Sequence, residues 1–197
     1  MATKKERVSL QTPVGIATFV HVFEPHAHDN DDGEKKQPMY SVMLVFTPEQ
    51  KDDLKELRQQ CIRAAKAFFG ERYEKLKEKG KMRFPWRDAG EYEEYGEPFV
   101  EGNTMINFKS KDEPGVVDAR AKPVMDRKVI FPGMAARVSY GVWPYETKGN
   151  TGVTLFLNNL QKAGDGMGRL AGRAAAEDEF DAIEGADGSD DGDDDEI

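Results

Sequence analysis

The 197 residues leave space for one domain of about 150 residues and an appendage, which excludes a multidomain enzyme. With 33% charged residues, 38% hydrophobic residues and a mean hydropathy of -0.70, the chain describes a modest core under much solvated surface. Its longest largely apolar stretch, Val14 to Phe23, is far shorter than the roughly 20 residues of a membrane span, the opening MATKKERVSLQTP has no apolar secretory segment, and the single Cys61 excludes internal disulfides and thiolate-rich zinc sites, so a cytoplasmic protein without metal or cofactor is expected.

In VGIATFVHVF, Ile16, Thr18, Val20 and Val22 alternate against Ala17, Phe19, His21 and Phe23, which predicts one long strand over Val14 to Phe23. The following EPHAHDNDDGEKKQP contains only turn formers and charges and reads as a mobile loop. Met39 to Phe46 (MYSVMLVF) predicts a second strand, apolar enough to be buried on both faces and paired with the first as a hairpin. Thr47 then offers an N-cap before Pro48, and Leu54, Leu57, Cys61, Ala65 and Phe68 recur at helical spacing, predicting an amphipathic helix to about Phe69 that Gly70 ends. ERYEKLKEKG predicts a second short helix closed by Gly80.

Phe84 to Phe99 (FPWRDAGEYEEYGEPF) sets five aromatics among Gly, Pro and carboxylates and reads as an extended loop, without regular structure, wrapped over the body. Short strands follow over Thr104 to Lys109, Gly115 to Ala119, Val129 to Phe131, Ala135 to Trp143 and Thr151 to Leu160. This order predicts a mainly β domain over residues 1–163 with one or two helices, a barrel or sandwich for which an OB-type antiparallel Greek-key barrel is the natural candidate.

GDGMGRLAGR, Gly164 to Arg173, reads as a Gly-rich basic hinge. From Ala174 to Ile197 there are 12 carboxylates and no Lys or Arg, so this tail is expected to be disordered. The formal charge of -9 therefore hides two unlike regions: residues 1–173 hold 28 basic against 25 acidic side chains, a net of +3. The composition of the tail fits a solubilising role as well as a functional one.

Most catalytic and ligand motifs are excluded. HAHDNDD sets His26 and His28 beside Asp29, Asp31 and Asp32 but offers no third ligand on a rigid strand, and reads as a solvated acidic loop. DGSDDG begins like a calcium loop at Asp187, yet the Glu at the twelfth position would fall beyond Ile197. There is no GxxxxGK[ST], no GxGxxG and no GxSxG, so nucleotide hydrolysis and a serine nucleophile have no support. The informative constellation runs from Lys109 to Tyr145: Lys109, Lys111, Arg120, Lys122, Arg127 and Lys128, then MAARVSYGVWPYE. A strand period of two puts Arg137, Ser139, Gly141, Trp143 and Tyr145 on one face, and Val138, Tyr140 and Val142 on the other. Two readings of that face stand side by side. In one, bases stack on the aromatics and the cations hold phosphates; in the other, Trp143 and Tyr145 cap the core and the lysines are ordinary solvated turns.

Residues 131–166, with VWPYE, GNTG and LNNLQ followed by hinge and acidic tail, resemble the C-terminal strand pair of tailed-phage single-stranded DNA-binding proteins. That family has an OB fold and an acidic C-terminal tail; its strand rich in valine and aromatics ends in an aromatic-Pro-Tyr element, and the next ends in L-x-x-x-Q. The resemblance implies a non-enzymatic protein in an infected bacterial cell, binding single-stranded DNA. Tyr145 would be a base-stacking residue, joined by Trp143 and Trp86, with the Lys and Arg side chains named above on phosphates. It also implies a tail, ending Asp193, Asp194, Asp195, Glu196 and Ile197, that recruits a polymerase or helicase; its 12 carboxylates, tethered through the Gly-rich hinge to a body of net +3, are expected to compete with DNA. Related tails often finish in Phe, whereas Phe180 here lies well inside. An RNA-binding OB module, distinguished only by 2'-OH contacts, and a small phage structural or assembly protein are the other readings.

Overall fold

The computed structural model describes residues 10–27, 37–147 and 149–170. The predicted tail, residues 171–173 of the predicted hinge, and the centre of the loop after the first strand lie outside them. In chain order the elements are β1 (Leu10–Gln11), β2 (Gly15–His26), β3 (Met39–Phe46), α1 (Lys55–Phe69), α2 (Arg72–Glu78), β4 (Met82–Arg83), β5 (Trp86–Asp88), β6 (Thr104–Ser110), β7 (Gly115–Val117), β8 (Ala135–Thr147) and β9 (Asn150–Gly164).

β2 pairs antiparallel with β3, and β3 with β6. β6 runs parallel to β9, β9 antiparallel to β8, and β8 returns to β2. Five strands thus close on themselves as an OB-type Greek-key barrel. Inside it, residues of every wall strand meet: Ala17 and Val22 from β2, Val42, Leu44 and Phe46 from β3, Ile106 and Phe108 from β6, Val138 and Tyr140 from β8, and Val153, Leu155 and Leu157 from β9. Each such fully buried aliphatic or Phe side chain contributes roughly 1.5–3 kcal/mol. α1 packs against β8 and brings Leu57, Cys61, Ala65 and Phe69 into the same core. Among the described residues no helix is long and apolar enough to cross a membrane.

The outer faces of β3 and β6 carry a second, smaller cluster. Met43, Val45 and Met105 point away from the barrel and are covered by Ala89 and Phe99, with Phe19 and Tyr92 packed at the margin. The aromatic stretch after Phe84 does wrap over the body, but it is not irregular. It forms β5, paired with β6, and 3-10 turns over Ala89–Tyr95 that start where the Asp88 carboxylate accepts the Gly90 N–H at 2.8 Å.

Other expectations are corrected. No strand forms at Val129–Phe131: Asp126 accepts the Lys128 N–H at 2.9 Å and turns Arg127–Val129 into 3-10 conformation. Thr47 and Pro48 start a 3-10 turn over Pro48–Lys51, and α1 begins only at Lys55. On α1 it is Phe69 that enters the core, while Phe68 is 55% exposed. β7 stops at Val117 because Asp118 opens a turn, its carboxylate accepting the N–H groups of Arg120 and Lys122, both at 2.8 Å.

The described part of the predicted hinge, residues 164–170, is docked. Met167 N–H donates to the Gly133 carbonyl at 3.0 Å and Leu170 N–H to the Pro132 carbonyl at 2.8 Å. Arg169 lies 4.9 Å and Lys162 4.7 Å from the centre of the Phe131 ring. Gly133, at φ +105°, has no space for a Cβ beneath the Gly168 carbonyl, so only glycine lets the segment cross here.

Candidate nucleic-acid interface

Along β8, Ala136, Val138 and Tyr140 are buried while Arg137 and Trp143 are exposed, so the period of two places Arg137, Ser139, Gly141 and Trp143 on the outer wall. Pairing then sets neighbours beside them. Gly141 stands opposite Phe156 of β9, which is 38% exposed, and the Phe156 ring meets Trp143, 57% exposed, at 5.9 Å between centres and 62° between planes. Phe156 is in turn in register with Lys109 of β6, Lys109 with Ser41 of β3, and Ser41 with His21 of β2. One register row therefore runs across all five barrel strands, with Lys109 at its centre.

Tyr145 is half-buried and lies opposite Gly152. A Cβ at Gly152 would reach 3.0 Å from both the Tyr145 hydroxyl and the Arg83 Cβ, so Tyr145, Gly152 and Arg83 share one side of the sheet. β4 and β5 enter between β9 and β6, and they set two exposed arginines, Arg83 and Arg87, on that wall. The hairpin tip is anchored from below: Arg72 of α2 donates twice to the Glu146 carboxylate, at 2.6 and 3.1 Å, and holds its carboxyl below the usual range.

Beside Lys109 lies a groove of about 320 Å³ lined by Phe19, Ser41, Met43, Arg87, Tyr92, Asn107 and Lys109. Phe19 adopts φ +46°, a left-handed conformation that costs a bulky residue on the order of 1–3 kcal/mol. It is held by rings of Tyr95 and Phe99, both 5.7 Å away, and of Tyr92 at 6.0 Å. The Asn107 Oδ1 at the groove floor is buried and accepts no hydrogen bond among the described residues. Arg87 bonds Glu91 at 3.0 Å, and its guanidinium lies 5.6 Å from the centre of the Tyr92 ring. Glu91, Glu93, Glu94 and Glu97 make the groove's flank acidic.

The remaining residues singled out from the sequence are dispersed around this wall. Arg137 lines a pocket of about 280 Å³ with the polar Gln11, Ser139, Asn159 and Gln161 and the apolar Val117, Val138 and Leu160. Arg120 and Lys122 sit exposed on the Asp118 turn, which Gln161 bonds through two carbonyls. Arg127 stacks its guanidinium 5.0 Å over Phe23, and Lys128 follows it in the same turn. Lys111 is exposed just beyond β6. Trp86 is set apart from Trp143: it is half-buried against the main core, stacked on Phe84 at 4.6 Å, with Arg58 of α1 5.7 Å over its ring.

The structure adds Phe156, Arg83, Arg87, Tyr92, Phe19 and Asn107, none of which the sequence by itself places in the site. Phe156 was within reach, because in TLFLNN it alternates outward against Leu155 and Leu157. The others carried no local signal, since a bulge between Thr18 and His21 turns Phe19 and a strand insertion aims the arginines.

A closed OB barrel whose outer wall sets exposed aromatics beside Lys109, Arg83 and Arg87 defines a nucleic-acid-binding protein of the OB class. Its kinship is specific. The family described as the single-stranded DNA-binding protein of Enterobacter phage Enc34 matches residues 11–195, and the chain belongs to that family. The fold is similar to that of the single-stranded DNA-binding protein from bacteriophage Enc34 in complex with ssDNA, with a TM-score of 0.61 and 15% identity over 79% of this chain and 85% of that one. It is also similar to gp2.5, a single-stranded DNA-binding protein encoded by bacteriophage T7, with a TM-score of 0.57 and 17% identity over 86% and 90% of the two chains. None of the curated proteins compared matches the sequence.

Proposed function

We propose that this protein binds single-stranded DNA in phage DNA replication or recombination, in the cytoplasm of the infected bacterium and without catalysing a reaction. The strand lies along the outer wall, from the groove over β2, β3 and β6 to the aromatic pair on β8 and β9. Family membership supports the ligand. The observation that carries the path is the register row in which Lys109 stands between the groove and Phe156. Bases stack on Trp143, Phe156 and Tyr145, while Lys109, Arg83, Arg87, Arg137, Arg120, Lys122, Arg127, Lys128 and Lys111 supply phosphate contacts. Stacking needs the unpaired faces of bases, which a duplex conceals.

The acidic tail competes for the same wall and, when DNA displaces it, recruits a polymerase or helicase. Leu170, from which 27 residues follow, lines an apolar cleft together with Phe19, Tyr95 and Pro132, and Phe19 also lines the groove. The described chain therefore ends beside the groove at Leu170, and a polyanion tethered to that point would reach an effective concentration on the order of millimolar.

Filter binding with single-stranded DNA, duplex and RNA of equal length over a salt series tests the reading. Single strands should bind tightest, with a log-log salt slope of roughly -0.7 per phosphate contact. A salt-independent affinity would sink the phosphate contacts, and equal affinity for RNA would favour a general single-strand module. Truncation after Arg173 should tighten binding at low salt, with the gap closing as salt rises, and should abolish capture of the replication enzyme.

A further inference from the structure

On the outer face of β9 an amide network joins a strand cation to a neighbouring loop. Gln161 is paired across the sheet with Arg137, whose Nε donates to Gln161 Oε1 at 2.8 Å. The same amide turns its Nε2 the other way and donates to the carbonyls of Asp118, at 3.0 Å, and Ala119, at 3.3 Å. Those carbonyls open the turn whose next residues are Arg120 and Lys122, a turn already tightened by the Asp118 carboxylate on both their N–H groups. One side chain thus ties a strand cation to a loop that presents two more.

We propose that Gln161 is a positioning residue that fixes Arg137, Arg120 and Lys122 as one phosphate-binding unit for single-stranded DNA. The inference rests on the proposed function and adds the device that preorganises part of it. Engaging Nε holds the guanidinium plane, and the terminal amino groups, which bond nothing among the described residues, are left for a phosphate. Bonding the turn through its carbonyls holds two exposed, rotamer-rich cations at a set distance from that plane, so less ordering remains when the strand arrives.

The test compares salt slopes for oligo(dT) binding by the full-length protein and its variants Gln161→Met, Gln161→Asn and Arg137→Met. Met keeps the length but bonds nothing; Asn keeps the amide but cannot span both partners. Losing Arg137 alone removes one contact, a slope change of about 0.7. Both Gln161 variants should lose more, up to about 2, with at most a small shift in melting temperature. A slope as large as that of the unaltered protein, or a loss no greater than that of Arg137→Met, would overturn the unit, whatever happens to the melting temperature. The triple variant Arg120→Met, Arg137→Met, Lys122→Met separates the two levels. If it leaves the slope unchanged, these cations do not hold DNA; if it lowers the slope while the Gln161 variants do not, Gln161 does not position them.

Discussion

Arg87 donates through Nη1 to Glu91 Oε2 at 3.0 Å, so a carboxylate of the chain itself occupies a guanidinium that lines the groove. Both side chains are close to half exposed, and an ion pair of that kind is worth little in stability, about 0–1 kcal/mol. Its consequence lies in binding. Glu91→Gln should release Arg87 for phosphate, tighten single-strand binding at low salt, and steepen the salt slope by about 0.7. Equal slopes for the two proteins would mean that Arg87 does not contact the strand.

Trp143→Ala and Phe156→Ala should each weaken single-strand binding by about 1–3 kcal/mol with little loss of melting temperature, because both rings stand on the exposed wall. Tyr140→Ala should do the reverse. That ring is buried against Phe108, and its removal costs about 3–5 kcal/mol of stability. Trp86→Ala distinguishes two roles for the other tryptophan: packed on Phe84 beneath Arg58, it should lower the melting temperature more than the affinity. Melts and titrations on the same four variants check all of these.

Alkaline pH should unfold the protein through its core. Burial pushes the Cys61 thiol from 9.0 up to about 12, and burial, with Cys61 and Glu56 adding to it, pushes the Tyr140 hydroxyl from 10.0 up to about 12. Both groups fold in their neutral forms with pKa values above those of the unfolded chain. Their contribution is whole below about pH 9 and is lost as pH rises toward about 12. Urea midpoints measured from pH 8 to 11 should fall, and the fall should be shallower in Cys61→Ala. An identical pH dependence in the variant would remove Cys61 from the explanation.

Gly133→Ala should detach residues 165–170 from the barrel, since any Cβ there meets the Gly168 carbonyl and the backbone is at φ +105°. Faster proteolysis between Asp165 and Leu170, at unchanged single-strand stacking by Trp143, is the expected outcome. Resistance equal to that of the unaltered protein would show that Gly133 does not control this contact.

Periodicity was sufficient for the elements that make the barrel. β3 occupies Met39–Phe46 as predicted, α1 ends at the Gly70 predicted to stop it, and the outward set Arg137, Gly141 and Trp143 follows from the period of two in β8. These are local signals, written in side chains that must alternate or recur wherever one face of an element is buried. The same is true of the charge division, because a run of carboxylates without cations is visible without any structure.

What tertiary structure alone decided is which residues become neighbours across strands distant in sequence. Nothing near Lys109 foretells that it stands in register with Phe156, or that β4 and β5 enter between β9 and β6 to set Arg83 and Arg87 on the wall. Arg127 and Trp86 make the same point from the other side, since Arg127 stacks over Phe23 of β2 and Trp86 lies under Arg58 of α1, partners that neither segment announces. The sequence by itself thus determined the five barrel strands, the existence of the two helices and the two charge regions, whose causes lie within a few residues of one another. Barrel closure, the bulge that turns Phe19 and the spacing of aromatics and cations were decided by long-range pairing, where register depends on how all five strands bury their inner faces together.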